Sequence, residues 1–245
     1  MRSLALGVLV LSSSLFAQER ERPWFRVGVG FAGGEFDYRT DNSPLDDDTD
    51  GALFRLEFEA IGRRGLGGGL RIEGISSDDD LFVGAGFPAS EASSGTFYGH
   101  FTYRLEEHRF VMPIRIGLLF NGLEIEENVS GESLDYGSIG PYFELEPEVT
   151  LARSGRTAWT LYGELGVGAA YTVIDSNTDS NDYDSSTGFL GLEFGTRLLL
   201  NKVELSLAYV GRFQSTDDSD PENGLFVRGN DIAFQGLFFG VGVVF

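Results

Sequence analysis

Alternation of apolar and charged residues over long segments is the feature that most constrains the fold of this chain. Between residues 51 and 62, the residues Arg55, Glu57 and Glu59 are separated by apolar ones. A period of two is typical of β-strands whose two faces meet different surroundings. The pattern recurs in ten segments: roughly 24 to 38, 51 to 62, 66 to 75, 96 to 105, 110 to 123, 139 to 152, 157 to 174, 187 to 200, 203 to 214 and 231 to 245.

The connections between these segments alternate in length. Short turns at 63–65, 106–109, 153–156 and 201–202 follow every second segment, whereas long polar loops such as 39–50, 76–95 and 175–186 follow the others. Most segments have the ~10 residues that a tilted strand needs to cross a bilayer. Short turns on one side and long loops on the other are typical of membrane barrels. The sequence therefore predicts an all-β, ten-stranded antiparallel up-and-down transmembrane β-barrel.

A soluble, lipocalin-like barrel with an apolar interior is the main alternative, because alternation does not say which face is inside. Two observations favour the transmembrane barrel over the soluble one. The apolar faces carry almost no charge, whereas the opposite faces carry Arg and Glu repeatedly. Aromatic residues also gather near the segment ends, as two interfacial girdles require. Those toward the turns are Phe25, Tyr103, Phe110, Trp159 and Phe245, and those toward the loops are Tyr38, Phe97, Phe120 and Tyr171.

The N-terminus predicts export. Met1 and Arg2 form a short basic start, the stretch from Ser3 to Phe16 is apolar, and polar residues follow Ala17. This is the pattern of a secretory signal peptide cleaved after Ala17. A membrane anchor is the competing interpretation, but the apolar run is shorter than the ~20 residues of a spanning helix. We therefore expect residues 1–17 to be removed and residues 18–245 to form a single barrel domain.

Composition excludes several function classes. The chain has 18 Lys and Arg against 38 Asp and Glu, a formal net charge of -20, so nucleic acid is not an expected partner. Cysteine is absent, which excludes disulfides, thiol nucleophiles and thiolate metal sites. No motif predicts a cofactor.

The last strand would be a sticky free edge in water but pairs with the first strand in a closed barrel. It resembles the C-terminal signature of bacterial outer-membrane β-barrel proteins, an alternating apolar strand that ends on an aromatic residue. The resemblance implies a bacterial outer-membrane location, recognition by the barrel-assembly machinery, and contact with lipid and lipopolysaccharide. The residues of this signature are Leu237, Phe239, Val241, Val243 and Phe245.

The turn between the second and third segments predicts their register. A three-residue hairpin with Gly65 in the left-handed conformation places Glu57 opposite Arg71 and Arg55 opposite Glu73. Opposite charges then face each other on the inner side. The turn and the charges therefore predict the same pairing.

The inner face is predicted to hold a charge network. A ten-stranded barrel has little free lumen, so we expect arginines of the first half to bridge to glutamates of the sixth strand as a polar plug. Inward glycines would make room for the long side chains. Independent solvated charges in a wet pore are the alternative. The predicted lumen residues are Arg26, Arg55, Glu57, Arg71, Glu73, Arg104, Arg115, Glu144, Glu146, Glu148, Glu164, Glu193, Arg197, Glu204 and Arg212.

Residues 46 to 57 match the spacing of a calcium-binding EF-hand loop, with Asp46, Asp48 and Asp50 at ligand positions. The preceding Pro44 and the predicted strand position of Glu57 argue against a complete site. We therefore expect a solvated acidic loop and keep the three aspartates as weak metal candidates.

Candidate catalytic residues are scarce. Only His100 and His108 could act as histidine bases, and His100 is predicted in the lumen without a nearby serine. The predicted function is a monomeric outer-membrane barrel, serving as a narrow or gated pore for small solutes. An outer-membrane enzyme acting on lipid or peptide, and a surface protein that binds ligands through its loops, remain the alternatives.

Overall fold

The computed structural model describes residues 24–40, 46–78, 81, 89–127, 130–177, 182–221 and 226–245. The predicted signal peptide lies outside these residues. The described chain is all β and has eleven strands: β1 (Trp24–Thr40), β2 (Asp46–Ile61), β3 (Leu66–Ser77), β4 (Ser90–Glu107), β5 (Phe110–Glu127), β6 (Ser133–Leu145), β7 (Glu148–Ser154), β8 (Thr157–Ser176), β9 (Tyr183–Leu200), β10 (Val203–Thr216) and β11 (Asn230–Val244).

The strands close into an antiparallel barrel. Each pairs with its neighbours along the chain, and β1 pairs with β11 from Arg26 opposite Val244 to Thr40 opposite Asn230. Strands β6 and β7 lie end to end between β5 and β8, so that together they form one strand of a ten-stranded barrel. The predicted fold and the predicted closure of the last strand onto the first are confirmed.

The break between β6 and β7 has a local cause. Pro147 has no backbone N–H to donate to a sheet ladder. Around it, the Glu146 N–H donates to Pro113 O at 3.0 Å, and the Gly163 N–H donates to Pro147 O at 3.0 Å. A bulge between Thr150 and Ala152 follows. The sixth barrel strand is thus interrupted, but the hydrogen bonds across the break keep the barrel closed.

The turn between β2 and β3 has the predicted geometry. Gly65 has a φ of 75°, and the Gly62 N–H donates to Leu66 O at 2.8 Å. In the ladder that follows, Arg55 lies opposite Glu73 and Glu57 lies opposite Arg71. The predicted register is confirmed.

The predicted strand ends lie within two residues of the observed ones at the turns, but the predicted strands are too short at the loops. Strand β2 begins at Asp46 rather than residue 51, β4 at Ser90 rather than 96, and β9 at Tyr183 rather than 187. Parts of the three predicted loops are therefore strand. At these ends the outward residues become polar, and the apolar pattern used to find the strands stops there.

An apolar band surrounds the middle and the turn side of the barrel. Phe101 is 82% exposed and Phe31 60%, and in β11 Leu237 and Phe239 also face outward. Such a continuous apolar surface on a closed barrel is the lipid-facing surface of a transmembrane β-barrel. Of the C-terminal signature residues, Leu237, Phe239, Val241 and Phe245 are exposed, and Val243 is half-buried. None of the described residues forms a helix long and apolar enough to cross a membrane.

Beyond this band the polarity of the wall inverts. In β1, Glu35 is exposed, whereas Phe36 and Tyr38 are buried inside the barrel. Tyr38 was predicted in an outer aromatic girdle, which is wrong, because at this height its side of the strand faces an apolar interior. We call this part of the barrel the collar, and it comprises residues 35–40, 46–51, 76–77, 90–94, 123–127, 133–137, 173–176, 183–187, 215–216 and 230–235.

The length of the strands explains the collar. A crossing needs about 9 to 11 residues, whereas β1 has 17 and β8 has 20. The excess of at least six residues amounts to roughly 20 Å of strand. The wall therefore continues into water, where the hydrophobic effect places polar residues outside and apolar residues inside.

Candidate functional site

The lumen on the turn side of the barrel is filled by ion pairs. Arg26 pairs with Glu204 on β10 at 2.7 Å, and Arg197 on β9 pairs with Glu148 at 2.6 Å. Arg197 also contacts Glu146. Each of these pairs joins two strands that flank a third one in the sheet. Paired side chains therefore line and fill the lumen at this level.

The next layer toward the loops centres on Glu144. Arg71 donates to Glu144 at 2.8 Å and contacts Glu164 at 3.1 Å. Arg115 contacts Glu144 and donates to Glu59 at 3.0 Å. Both Arg115 and Glu144 are almost fully buried. Such buried charges are tolerated only when they are paired and hydrogen-bonded, and here they are.

A further group of pairs connects β2, β3, β9 and β10. Arg55 donates to Glu73 at 2.7 Å and to Glu193 at 2.7 Å. Arg212 donates to the same Glu73 at 2.8 Å. Because Arg212 also contacts Glu164 at 3.2 Å, this group joins the layer around Glu144. The groups form one continuous network, the ionic plug, of Arg26, Arg55, Arg71, Arg115, Arg197 and Arg212 with Glu57, Glu59, Glu73, Glu144, Glu146, Glu148, Glu164, Glu193 and Glu204.

The partners differ in part from those expected. Arg71 and Arg115 reach Glu144 on β6, but Arg55 reaches Glu193 on β9. Glu57 lies opposite Arg71 in the ladder, yet its ion pair is with Arg26 at 3.6 Å.

Two more residues refine the predicted network. Arg104 lies near the turn end, where it pairs with Glu106 at 3.1 Å and its guanidinium carbon lies 5.1 Å from the Trp24 ring centroid. Glu59 is a plug residue that the prediction omitted. Its place on the inward side of β2, two residues after Glu57, would have revealed it.

Aromatic side chains also contact the plug, with Tyr162 between the levels of Arg197 and Glu193 and Tyr142 on the loop side of Glu144. Tyr162 donates to Glu193 at 2.5 Å, and Tyr142 donates to Glu144. The Arg197 guanidinium carbon lies 3.7 Å from the Tyr162 ring centroid. The tyrosine hydroxyl groups thus donate hydrogen bonds to buried carboxylate oxygens. The Tyr162 ring packs against the guanidinium plane of Arg197, which is shielded from water.

Inward glycines make room for aromatic rings and, at Gly191, for the Arg212 guanidinium, whose Nη1 would lie 3.3 Å from a Cβ there. A Cβ on Gly30 would lie 2.0 Å from Cζ of Phe238, and one on Gly166 would lie 2.6 Å from the Tyr142 hydroxyl. The glycine is therefore needed where a ring crosses the backbone of a neighbouring strand.

Above the plug the interior becomes apolar. One group contains Leu53, Val210, Phe234 and Phe238, and a second contains Tyr98, Leu119 and Tyr142. At the height of the collar, the cap consists of buried Phe36, Tyr38, Leu81, Ala92, Leu123, Tyr136, Ile174, Tyr183 and Ile232.

A row of hydroxyl groups crosses several strands between these layers. Ser138 and Thr172 are joined at 2.8 Å, Thr172 and Thr187 at 2.6 Å, and Thr187 and Thr216 at 3.1 Å. These inward polar groups satisfy one another and form no open polar channel.

Small cavities occur in the described interior, and two of them adjoin the plug. The larger has about 40 Å³ and is lined by Tyr98, Tyr142, Arg212 and Gln214 among others, and the smaller has about 20 Å³ and lies beside Arg26 and Arg197. A cavity of ~10–15 Å³ by this measure holds one water molecule. They therefore have room for only a few waters.

The metal candidates lie apart from this interior. Asp48 and Asp50 are exposed on β2, opposite Asp37 and Glu35 of β1, while the side chain of Asp46 lies outside the described set. Among described residues, the carboxylates with metal-compatible spacing are Glu144, Glu146 and Glu164, whose ligand atoms lie within 4.8 Å of one another. Arginines of the plug already contact all three.

His100 is enclosed by the plug. Its side chain is 2% exposed, and its Nε2 lies 3.9 Å from Glu59 Oε1 without a hydrogen-bond partner among the described residues. His108 is exposed in the turn after β4, with a φ of 53°. Among the described residues, neighbouring side chains therefore enclose His100.

Solved barrels resemble this one. The outer membrane protease OmpT of Escherichia coli is 9% identical with a TM-score of 0.44, and the alignment covers 92% of this chain and 97% of that one. A major outer membrane protein of Thermus thermophilus is 14% identical, with a TM-score of 0.40 and coverage of 91% and 99%. The attachment protein Ail of Yersinia pestis is 13% identical, with a TM-score of 0.31 and coverage of 90% and 99%.

These proteins share the outer-membrane β-barrel architecture with this chain, and the likeness extends no further. No protein-family model matches the sequence. No curated protein matches it either.

Proposed function

We propose that this chain is an integral protein of the bacterial outer membrane whose lumen is closed, and that its collar and loops form its working surface. The observation that carries the proposal is the filled interior. The ionic plug, the apolar groups and the cap succeed one another from the turns to the collar, with cavities of about 40 and 20 Å³ between them.

The filled interior favours this function over the narrow or gated pore predicted from the sequence. A conducting state would have to separate ion pairs that cross the lumen, such as Arg71 with Glu164 and Arg55 with Glu193. Removing one partner of a buried pair costs about 3 to 5 kcal/mol because the other charge stays buried and unpaired, and a pore that opened without hydrating these groups would have that cost at several pairs. A closed barrel avoids that cost.

The collar favours the surface-binding alternative. It extends the barrel wall into water and carries exposed polar residues such as Glu35, Asp48 and Asp50 around an apolar cap. A rigid wall that supports loops above a membrane is suited to presenting them to a partner. Export of the chain would use the predicted signal peptide at residues 1–17.

Electrical recording tests the proposal. Protein refolded into vesicles would first be shown to be inserted by its protection from protease, and then fused with a planar bilayer. We expect no steady conductance above that of protein-free vesicles. A known porin refolded in the same way serves as the positive control. Steady conductance that scales with the inserted amount of this protein would overturn the closed-lumen proposal.

A further inference from the structure

Exposed cations surround the turn end of the barrel. The turn between β2 and β3 carries two of them, each other turn carries one, and the end of β7 adds another. All of them lie outside the ionic plug. We call them the basic ring, which consists of Arg63, Arg64, Arg109, Arg153, Arg156 and Lys202.

Backbone hydrogen bonds hold this ring in place. The Arg104 N–H donates to Gly65 O at 2.9 Å, and the Thr150 N–H donates to Arg109 O at 2.8 Å. The Asn201 N–H donates to Arg156 O at 3.0 Å, so that the turns carrying Arg156 and Lys202 lie side by side. The turns are therefore fixed to the barrel wall, and the cations stay close to its rim.

The aromatic girdle sets the depth of the ring in the membrane. Phe110 directly follows Arg109, and Trp159 lies three residues after Arg156; both rings are exposed. Lys202 Nζ lies 5.4 Å from the ring centroid of exposed Phe245. The aromatic girdles of membrane barrels flank the apolar band at the level of the lipid headgroups. The basic ring therefore lies at the same level.

Charge on the barrel is separated between its two ends. At the turn end, the exposed side-chain carboxylates within the described residues are those of Glu106 and Glu107, and Glu106 pairs with Arg104. The collar at the other end carries many exposed carboxylates, including Glu35, Asp48 and Asp50. An anionic partner is thus attracted to the turn end and repelled from the collar.

We propose that the basic ring binds the headgroups of anionic phospholipids in the leaflet on the turn side. Guanidinium groups donate in pairs to phosphate oxygens, and each Lys or Arg near a membrane surface attracts anionic lipid. The adjacent aromatic and aliphatic side chains contact the acyl chains of the same lipids, which a free phosphate ion lacks. The proposed partner is therefore a lipid whose headgroup contacts the basic ring and whose acyl chains contact the adjacent apolar side chains.

Spin-labelled lipids measure directly whether the protein prefers anionic phospholipids to zwitterionic ones. The protein would be reconstituted into phosphatidylcholine vesicles, and the association of labelled phosphatidylglycerol would be compared with that of labelled phosphatidylcholine. We expect a several-fold preference for phosphatidylglycerol. It should fall when salt is raised from about 0.01 to 1 M, since the Debye length then shrinks from roughly 30 to 3 Å.

Substitutions in the basic ring test whether its arginines cause the preference for phosphatidylglycerol. Combined Arg63→Gln, Arg64→Gln, Arg109→Gln and Arg153→Gln should reduce the preference at least two-fold, whereas the control Glu107→Gln should keep or increase it. Circular dichroism and resistance to protease would verify that both variants fold.

The proposal would be overturned by equal association of both lipids with the unaltered protein, or by an unchanged preference in the fourfold variant. Saturable binding of inorganic phosphate to the protein in phosphatidylcholine vesicles, without any preference for labelled phosphatidylglycerol, would instead identify a free-anion site and also overturn it. None of these results depends on whether the lumen conducts.

Discussion

At the scale of single residues, the interior depends on side chains that cross the backbone of a neighbouring strand. Phe238 lies over Gly30 so closely that a Cβ there would be 2.0 Å from its ring. Arg55 in turn covers the Phe238 ring, with its guanidinium carbon 4.5 Å from the centroid. Gly30 therefore determines where Phe238 lies, and Phe238 covers part of the ionic plug.

We expect Gly30→Val to lower the free energy of unfolding by about 1 to 3 kcal/mol, the range for overpacking a filled interior. Urea titration of the protein in vesicles, followed by tryptophan fluorescence, would measure it. The matched control is Gly122→Val, because Gly122 is exposed and a Cβ there has nothing within 4 Å. In a Phe238→Ala background, Gly30→Val should cost less than it does in the unaltered protein, and equal effects of the two valines would contradict this explanation.

At the scale of elements, each long strand passes through two environments. In β1, Phe31 faces outward within the apolar band, and Glu35 faces outward in the collar. The two residues differ by four positions and so lie on the same face of the strand. The change from apolar to acidic along that face indicates where the membrane ends.

Cysteine substitution along β1 tests this boundary, since the chain has no cysteine of its own. In vesicles, Glu35→Cys should react rapidly with a water-soluble maleimide, whereas Phe31→Cys should react at least about tenfold more slowly. A fluorophore on Phe31→Cys should be quenched by lipids brominated on their acyl chains. Equal reactivity at both positions would show that the apolar band does not lie in the membrane.

At the scale of the whole molecule, the ionic plug joins strands that are not neighbours in the sheet. Arg71 on β3 contacts Glu164 on β8, and Arg55 on β2 contacts Glu193 on β9. Each such pair connects opposite walls of the barrel. The plug therefore couples the strands across the lumen, in addition to the backbone ladders between neighbours.

Arg115→Met tests the plug as a unit. The change leaves Glu59, Glu144 and Glu146 without their shared guanidinium, and we expect a loss of about 3 to 5 kcal/mol in the free energy of unfolding. The same urea titration would measure it. In vesicles of phosphatidylcholine alone, which offer the basic ring no anionic lipid, Arg153→Met at its exposed position should change the free energy of unfolding by no more than about 0.5 kcal/mol. A similarly small effect at Arg115 would mean that the plug does not stabilise the barrel.

The amino-acid sequence by itself determined the barrel, the strand ends at the turns, and the register of β2 against β3. Period two assigns each residue to a face, and turn residues such as Gly65 set the pairing of neighbouring strands. Only the tertiary structure decided that Arg55 meets Glu193, that Phe238 lies over Gly30, and that the wall inverts at Phe36. These contacts join residues far apart along the chain, across a lumen whose width and filling depend on all the strands at once.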